Sequence, residues 1–259
     1  DSEEALVAAI AHIAQVSQGT DLAAGTSSRL IIEGRLPDGS RVEAVLPPAV
    51  RGGPVLAIRR FARAGLSLAD MVRRGSLSTA GEERLRQACR HKRNILVAGG
   101  TGSGKTSLLN ALGGVIPAGE RVICIEDTPE LQLDCAHLVS LVCCEQEGGD
   151  AVGVRELFRA SLRLRPDRIV IGEIRGAEAL DLLQAMTSGH GGCMSTIHAS
   201  RPADALRRME TLALMSDVEL PLSALRHQVA SAIDLVVQTE RTPEGHRRVS
   251  AMCELRGVD

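Results

Sequence analysis

The spacing of apolar residues changes near residue 94, and the change predicts two parts of different architecture. In residues 1–17 apolar positions recur at helical spacing, which predicts an amphipathic helix. Residues 29–60 then alternate short apolar runs with turn signals, and Pro37-Asp38-Gly39 separates two of these runs at a predicted hairpin. We therefore predict that residues 1–62 are the C-terminal part of a small α+β domain.

Residues 63–93 carry the pattern of a linker with two helices. Ser67 is predicted to begin the first helix, with Asp70 at the spacing of a capping box. Thr79 is predicted to begin the second, with Glu82 at the same spacing. Neither helix requires a functional explanation.

From residue 94 onward, short β-type runs alternate with helical patterns. The predicted strands are 94–98, 122–125, 138–142, 168–172, 193–197 and 234–238. The predicted helices are 105–113, 153–164, 176–188, 202–213 and 221–232. Pro243-Glu244-Gly245 then predicts a last hairpin into 247–255. The alternation predicts an α/β fold for residues 94–259, with a parallel sheet covered by helices on both faces.

The composition argues against several classes of partner. The formal net charge is −2, so the chain has no overall attraction to nucleic acid or to an anionic membrane. Phe61 and Phe158 are the only aromatic residues of the Phe, Tyr and Trp types, whereas proteins that hold single strands usually stack bases on such rings. No apolar run is long enough to span a membrane. We expect no direct nucleic-acid partner.

Seven cysteines are present, and their number and spacing argue against a disulfide framework or a metal site. No C-x-x-C occurs, and no histidine lies at ligand spacing from Cys143 and Cys144. Several cysteines fall inside apolar runs, which predicts buried thiols in a reducing cytoplasm. The chain shows no signal peptide and does not begin with Met, so we expect it to be part of a longer protein.

The strongest chemical signal is a glycine-rich segment directly after an apolar run. Residues Gly99–Thr106 fit G-x-x-x-x-G-K-[ST], a loop whose backbone N–H groups can surround phosphate oxygens at the N-terminus of a helix. Lys105 is predicted to reach the β and γ phosphates of a nucleotide, and Thr106 to bind Mg²⁺. The predicted nucleotide-binding residues of this segment are Gly99, Gly100, Thr101, Gly102, Ser103, Gly104, Lys105, Thr106 and Ser107.

Acidic residues follow two of the predicted strands. Glu173 comes directly after the run that ends at Gly172, and Glu126 and Asp127 follow the run that ends at Ile125. Open α/β sheets bind ligands at these strand ends. Hydrolysis requires one carboxylate near Mg²⁺ and one that polarises the attacking water, and the sequence leaves open which glutamate is the base.

Two histidines flank a third apolar run, residues 193–197. Glycines on both sides of His190 indicate close approach of the backbone to another group, and a neutral imidazole there is predicted to sense a γ-phosphate. His198 follows the run. A single histidine is more often structural, so that interpretation stays open for each of them.

Taken together, four segments resemble the signature boxes of the secretion traffic ATPases, which drive type II and type IV secretion, conjugation, type IV pili and Flp (tight-adherence) pili. Gly99–Thr106 is similar to the Walker A box and Ile125–Leu131 to the Asp box. Leu164–Arg175 is similar to the Walker B box with its glutamate, and Ser188–Ala199 to the His box. Residues 220–235 most resemble the Flp-pilus branch, with the conjugation branch as the alternative.

The resemblance implies a RecA-like ATPase domain at 94–259 after a PAS-like N-terminal domain, with ATP held between them. It implies a hexameric ring at the bacterial inner membrane, cytoplasmic and attached through platform proteins. Arg35, Arg41, Arg59 or Arg60 would approach phosphates, some from a neighbouring subunit, because a guanidinium pairs well with phosphate oxygens. The four-cysteine zinc site of some relatives is missing, so no zinc is predicted.

The predicted mechanism is Mg²⁺-dependent ATP hydrolysis coupled to mechanical work. Thr106 and Glu173 would hold the metal, and Glu126 would position or deprotonate the attacking water. His198 and Arg175 would sense the γ-phosphate or relay its loss.

Three other functions also fit a P-loop. A nucleic-acid motor would be stimulated by DNA, and a non-hydrolysing switch would bind ATP without turnover. A small-molecule kinase would need an acceptor pocket and a lid.

Overall fold

The computed structural model describes residues 2–18, 30–60, 65–145 and 151–255, and the chain divides into two compact units. The first unit comprises Asp1–Ala64 and the second Gly65–Asp259. The predicted domain bounds at 62 and 93 remain a proposal. No helix in the described part of the chain is long and apolar enough to cross a membrane.

The first unit is one helix on a three-stranded antiparallel sheet. Its elements are α1 (Glu3–Gln18), β1 (Ile31–Arg35), β2 (Arg41–Val45) and β3 (Val55–Arg59), in the sheet order β1-β2-β3. Ile10 and Ala14 of the helix pack on Ile32 and Ala44 of the sheet. The predicted amphipathic helix and the hairpin are therefore confirmed.

The second unit contains a seven-stranded sheet and seven helices among its described residues. The helices are α2 (Leu68–Arg73), α3 (Thr79–Arg90), α4 (Lys105–Gly113), α5 (Val154–Ser161), α6 (Glu178–Thr187), α7 (Pro202–Ala213) and α8 (Leu222–Ala232). The strands of the main sheet are β4 (Ile95–Gly99), β5 (Arg121–Glu126), β6 (His137–Val142), β9 (Arg168–Ile171), β10 (Met194–His198), β11 (Leu235–Arg241) and β12 (Arg247–Glu254). Between β6 and α5 lie two antiparallel strands of two residues each, β7 (Cys144–Glu145) and β8 (Ala151–Val152). They are too short for the sequence pattern to indicate.

The main sheet has the order β12-β11-β4-β10-β9-β5-β6. Every neighbouring pair is parallel except β11 and β12, which form the predicted terminal hairpin. Alternate residues of β4 enter opposite cores: Leu96 and Ala98 pack on one face, and Ile95 and Val97 on the other. Burial on both faces explains why the strands are continuous apolar runs and not alternating ones. The predicted α/β architecture is confirmed.

The first turns of α2 and α3 are both capped by serine side chains. The box of Ser67 and Asp70 is confirmed, since each side chain bonds the other residue's backbone N–H. In α3 the cap is Ser78, whose hydroxyl accepts the N–H of Gly81, because Ser78 is extended whereas Thr79 is already helical. The capping box predicted at Thr79 is therefore wrong.

The cysteines are all free, and they divide by burial. Cys89, Cys124 and Cys193 are buried as predicted, and burial raises the pKa of the Cys89 thiol to about 11. Cys144 and Cys253 are exposed, contrary to the general prediction of buried thiols, because they lie in peripheral hairpins.

Because the central strands are parallel, the main sheet has two distinct edges. We call the edge at the strand ends the carboxyl edge and the edge at the strand starts the amino edge. The register pairs His198 with Gly99 at the carboxyl edge and Met194 with Ile95 near the amino edge. A residue's position before or after its strand therefore decides which edge it joins.

Candidate nucleotide site at the carboxyl edge

The glycine-rich segment forms a tight loop between β4 and α4. Gly102 and Gly104 have φ values of +69° and +103°, in the left-handed region that side chains other than glycine rarely adopt. Ser103 closes the loop, since its hydroxyl donates to the carbonyl of Gly100 at 2.8 Å. The two glycines are thus required by the backbone itself.

Gly99 is required for a different reason, because its neighbours leave no space for a side chain. A Cβ there would lie 2.3 Å from Thr239 Oγ1 and 2.4 Å from Ser103 Oγ. Thr239 donates to the carbonyl of Ala98 at 3.1 Å and contacts Ser103 Oγ at 2.8 Å. Sequence analysis missed Thr239, and only its register opposite Gly99 on β11 reveals its place beside the loop.

Lys105 is buried at the centre of this loop. Its amine donates to the carbonyls of Gly99 and Gly100, both at 3.0 Å. Burial lowers the pKa of the Lys105 amine, while the charge of Glu173 opposes that shift. Thr106 and Ser107 follow on the first turn of α4, both partly exposed. Two carbonyls of the loop therefore hold the Lys105 amine through hydrogen bonds that a stronger acceptor can replace.

A chain of charged and polar side chains extends from Lys105 along the carboxyl edge. His198 Nε2 lies 3.4 Å from Lys105 Nζ and 2.8 Å from Glu173 Oε1. Glu173 also accepts the Nε–H of Arg175 at 2.6 Å, and Arg175 Nη1 donates to Asp127 Oδ2 at 3.3 Å. Residues at the carboxyl ends of four different strands therefore lie close together. The roles predicted for Lys105, His198, Glu173 and Arg175 stay predictions.

The protonation of His198 follows from its two neighbours. One ring nitrogen cannot accept from Lys105 and donate to Glu173 at once, and the shorter distance favours Nε2–H donating to the carboxylate. Burial lowers the pKa of the His198 imidazole, the charge of Lys105 lowers it further, and Glu173 opposes both. The result is a neutral imidazole that donates to Glu173 and lies beside the Lys105 amine without accepting a hydrogen bond from it.

Glu126 lies at the end of β5 and is buried. Its Oε1 accepts the N–H groups of Glu130 at 2.8 Å and Leu131 at 2.9 Å. Burial raises the pKa of the Glu126 carboxyl, and the two backbone bonds oppose that shift. The carboxylate therefore fixes the turn after the strand. Its role as catalytic base, which a raised pKa favours, stays a prediction.

His190 does not lie with these residues. It precedes β10, and its N–H donates to the carbonyl of Ala185 at the end of α6. Because β10 and β4 are parallel, this turn belongs to the amino edge, where a Cβ on Gly191 would lie 3.2 Å from the carbonyl of Lys92. The glycines around His190 serve a tight turn there. The structure thus separates His190 from the phosphate loop of its own chain, contrary to the predicted contact with the nucleotide.

All four arginines predicted to approach phosphates lie in the first unit. Arg35, Arg41 and Arg59 are in register on its three adjacent strands, so that they form one row across the sheet. Arg60 follows directly after β3. Guanidinium groups in such a row concentrate positive charge and suit phosphate oxygens.

The oxygen donors at the carboxyl edge fit Mg²⁺. The metal usually takes one or two protein oxygens and completes its octahedron with phosphates and water. The hydroxyl of Thr106 and the carboxylate of Glu173 are donors of that kind. No cluster of three acidic, histidine or cysteine ligands occurs in the described ranges, and such a cluster is not needed.

Comparison with known families decides the wider assignment. Residues 12–248 match the family model described as Type II/IV secretion system protein. The chain belongs to this family. The membership confirms the resemblance to the secretion ATPases at the level of the family.

Members of the family with known names are similar over most of the chain. A putative conjugal transfer protein of Mycobacterium tuberculosis H37Rv is 39% identical over 85% of this chain and 62% of its own length. The conjugal transfer protein TrbB of Rhizobium radiobacter is 37% identical over 98% of this chain and 74% of its own. The chain therefore spans less than two thirds of the mycobacterial protein.

A solved family structure supports the fold directly. The VirB11 ATPase of the Brucella suis type IV secretion system, crystallised with sulphate, is 30% identical, with a TM-score of 0.60. The match covers 88% of this chain and 75% of that one. The predicted combination of a RecA-like P-loop domain with a smaller N-terminal domain is confirmed.

Proposed function

We propose that this chain hydrolyses ATP with Mg²⁺ and uses the energy to do mechanical work in a bacterial secretion machine. The observation that carries the proposal is the contact sequence from Lys105 through His198 to Glu173, with separations of 3.4 and 2.8 Å. A phosphate-binding lysine, an imidazole and a carboxylate then share one site. Hydrolysis of a nucleoside triphosphate needs such a lysine on the phosphates and a carboxylate near Mg²⁺.

The loop and its lysine bind the phosphates. Lys105 exchanges the carbonyls of Gly99 and Gly100 for oxygens of the β and γ phosphates, which are stronger acceptors because they are charged. The backbone N–H groups of the loop and the N-terminus of α4 add further donors. Thr106 and Glu173 hold Mg²⁺, which neutralises charge on the phosphates when it is bound.

Glu126 and Glu173 divide the remaining chemistry. The carboxyl of Glu126 has its pKa raised by burial, and this favours it as the group that takes a proton from the attacking water. Glu173 is held by Arg175 and by His198, and this favours it as the carboxylate directed at the metal.

His198 and Arg175 link the chemistry to movement. Both bond Glu173, so a change at this carboxylate on nucleotide binding or on loss of the γ-phosphate would reach both side chains. Arg175 extends the connection to Asp127 after the neighbouring strand β5. Loss of the γ-phosphate would thereby change side-chain contacts at the ends of two more strands, β10 and β5.

The ring and its partners complete the proposal. The chain works as a homo-hexamer. The prediction that Arg35, Arg41 or Arg59 approaches the phosphates, some from a neighbouring subunit, belongs to the same proposal. It lies in the cytoplasm and reaches the inner membrane through platform proteins of the machine. It needs no direct nucleic-acid partner.

The type of machine is open between two branches of the family. The names of the similar proteins support conjugal transfer or type IV secretion. The prediction of Flp-pilus assembly rests on the pattern of residues 220–235, which contain α8. ATP hydrolysis is common to both.

The deciding experiment is ATP turnover per chain as a function of protein concentration, with Glu173→Gln as the matched control. We expect the specific rate to rise with concentration and to vanish in the variant. Tight ATP binding without turnover at any concentration would contradict the proposal and indicate a switch. Stimulation that depends on added DNA would indicate a nucleic-acid motor.

A further inference from the structure

The terminal hairpin reaches the phosphate loop from both of its strands. On β11, Thr239 contacts Ser103 Oγ at 2.8 Å. On β12, Arg247 donates its Nε–H to the carbonyl of Gly102 at 2.8 Å. A Cβ on Gly104 would lie 3.5 Å from Arg247 Cδ, so the arginine side chain lies along the middle of the loop.

Arg247 differs in its partners from the next residue on the same strand. Arg248 donates its Nε–H to Glu240 at 2.6 Å and forms an ion pair within the hairpin. In the described part of the chain, Arg247 has no carboxylate partner, and its recorded side-chain bond is the one to Gly102. The charge of Arg247 is therefore available to the loop and to what the loop binds.

The bond to Gly102 has a consequence for phosphate binding. A phosphate loop works when its N–H groups face the ligand and its carbonyls face away, because a carbonyl dipole repels an anion. A donor that holds one carbonyl keeps that peptide in a fixed orientation before the ligand arrives. A loop that is already ordered loses less conformational entropy when the ligand binds, so its affinity for the ligand is higher.

We propose that Arg247 is a positioning residue of the nucleotide site: it holds the Gly102 carbonyl away from the phosphates of a bound nucleotide and adds positive charge beside the loop. The inference rests on the proposed ATPase function. It makes the terminal hairpin part of the site, and it assigns Arg247 to the binding of di- and triphosphates alike and not to the chemical step.

The test compares Arg247→Gln and Arg247→Lys with the control Arg248→Gln in the full chain. A fluorescent ADP analogue is titrated at constant salt, and kcat and KM for ATP are measured. We expect Arg247→Gln to weaken ADP binding and raise the KM about tenfold, with kcat changed less than about twofold, as for a lost interaction that binds substrate and transition state equally. Arg247→Lys should recover part of the affinity, and Arg248→Gln should match the wild type.

Each other result has a distinct meaning. Wild-type affinity in Arg247→Gln overturns the inference, and so does a loss confined to kcat. An equal loss in Arg248→Gln overturns it too, because the effect would then belong to hairpin charge in general. Failure of the wild-type chain to bind the analogue removes the proposed function itself. Melting curves check that the variants fold, which the exposed position of Arg247 leads us to expect.

Discussion

The two edges of the main sheet carry the same kinds of side chain in opposite arrangements. At the amino edge Arg168 is fully buried, contacts Glu120 and donates to the carbonyl of Cys89 at 2.5 Å. At the carboxyl edge Arg175 keeps 63% of its side chain exposed while it pairs with Glu173. Arg168 is the first residue of strand β9, and Arg175 follows Ile171, the last residue of the same strand, by four positions.

The partners explain the difference. The amide of Asn94, before β4, donates to the carbonyl of Ala232 at 2.7 Å and accepts the N–H of Cys193 at 3.0 Å. Such bonds join a side chain to fixed backbone groups, so the amino edge holds the strand ends in place. At the carboxyl edge Glu173 is instead held by the side chains of His198 and Arg175, and such side-chain partners can exchange. Polar residues before the strands therefore stabilise the sheet, whereas those after the strands are available for chemistry.

The largest expected effect lies at the amino edge. Arg168→Ala should lower the free energy of unfolding by about 3–5 kcal/mol, because it leaves the largely buried Glu120 with only the more distant Lys92 amine, 3.8 Å away, as a cationic partner. Urea denaturation measures the loss. Turnover per folded molecule should not change, and a selective loss of turnover would break the distinction between the edges.

A double variant provides the control for Arg168. Arg168→Met combined with Glu120→Leu removes both charges and should restore most of the lost stability, since apolar replacements of a buried pair are often neutral. A double variant as unstable as Arg168→Ala would mean that packing, and not the unpaired charge, causes the loss.

Lys105→Ala tests whether a substitution at the carboxyl edge lowers activity without lowering stability. We expect kcat/KM for ATP to fall by about 10²–10³-fold, the loss typical of one electrostatic group in a site. The melting temperature should stay near the wild-type value, because Lys105 bonds only loop carbonyls and the neighbouring His198. Steady-state kinetics measure kcat/KM, and thermal melting measures the stability of the variant. Unfolding of the variant would show that this edge also stabilises the sheet.

The two glutamates sharpen the comparison within the carboxyl edge. Glu126→Gln keeps an oxygen for the N–H groups of Glu130 and Leu131, so it should fold, bind ATP and turn it over about 10²-fold more slowly. Glu173→Gln should in addition require more Mg²⁺ for half-maximal binding of ATP. ATP binding is measured for both variants as Mg²⁺ is titrated. Identical curves would contradict the separate roles proposed for Glu126 and Glu173. Normal turnover in Glu126→Gln would leave Glu126 as a turn-fixing residue alone.

The smallest expected effect is a pH dependence of stability from His198. Its folded pKa is lowered below the ordinary value of 6.5, so the unfolded chain binds the proton more tightly. The free energy of unfolding should therefore fall as the pH drops from 6.5 towards the folded pKa. His198→Gln should flatten this slope, as measured by urea denaturation between pH 7.5 and 5.5. A variant with the same slope as the wild type would place the titration in another group.

The sequence predicted the sheet and the loop because both have strong local signals. Continuous apolar runs marked the buried strands, and Gly102 and Gly104 stand where the backbone demands them. His190 was misplaced because the glycines beside it were interpreted as close approach to a ligand, although its position before β10 puts it at the amino edge. Thr239 and Arg247 were missed because their contacts with the loop depend on strand pairing.

The distance along the chain between the loop and its supports has a consequence for biosynthesis. Arg247 follows Gly102 by 145 residues, and Thr239 follows Ser103 by 136. At about 5–20 residues per second, a ribosome needs about 7–30 s to add the intervening chain. A nascent chain thus carries the complete glycine-rich motif well before the hairpin that holds it. The loop can therefore be held in its final conformation only after translation has delivered that hairpin.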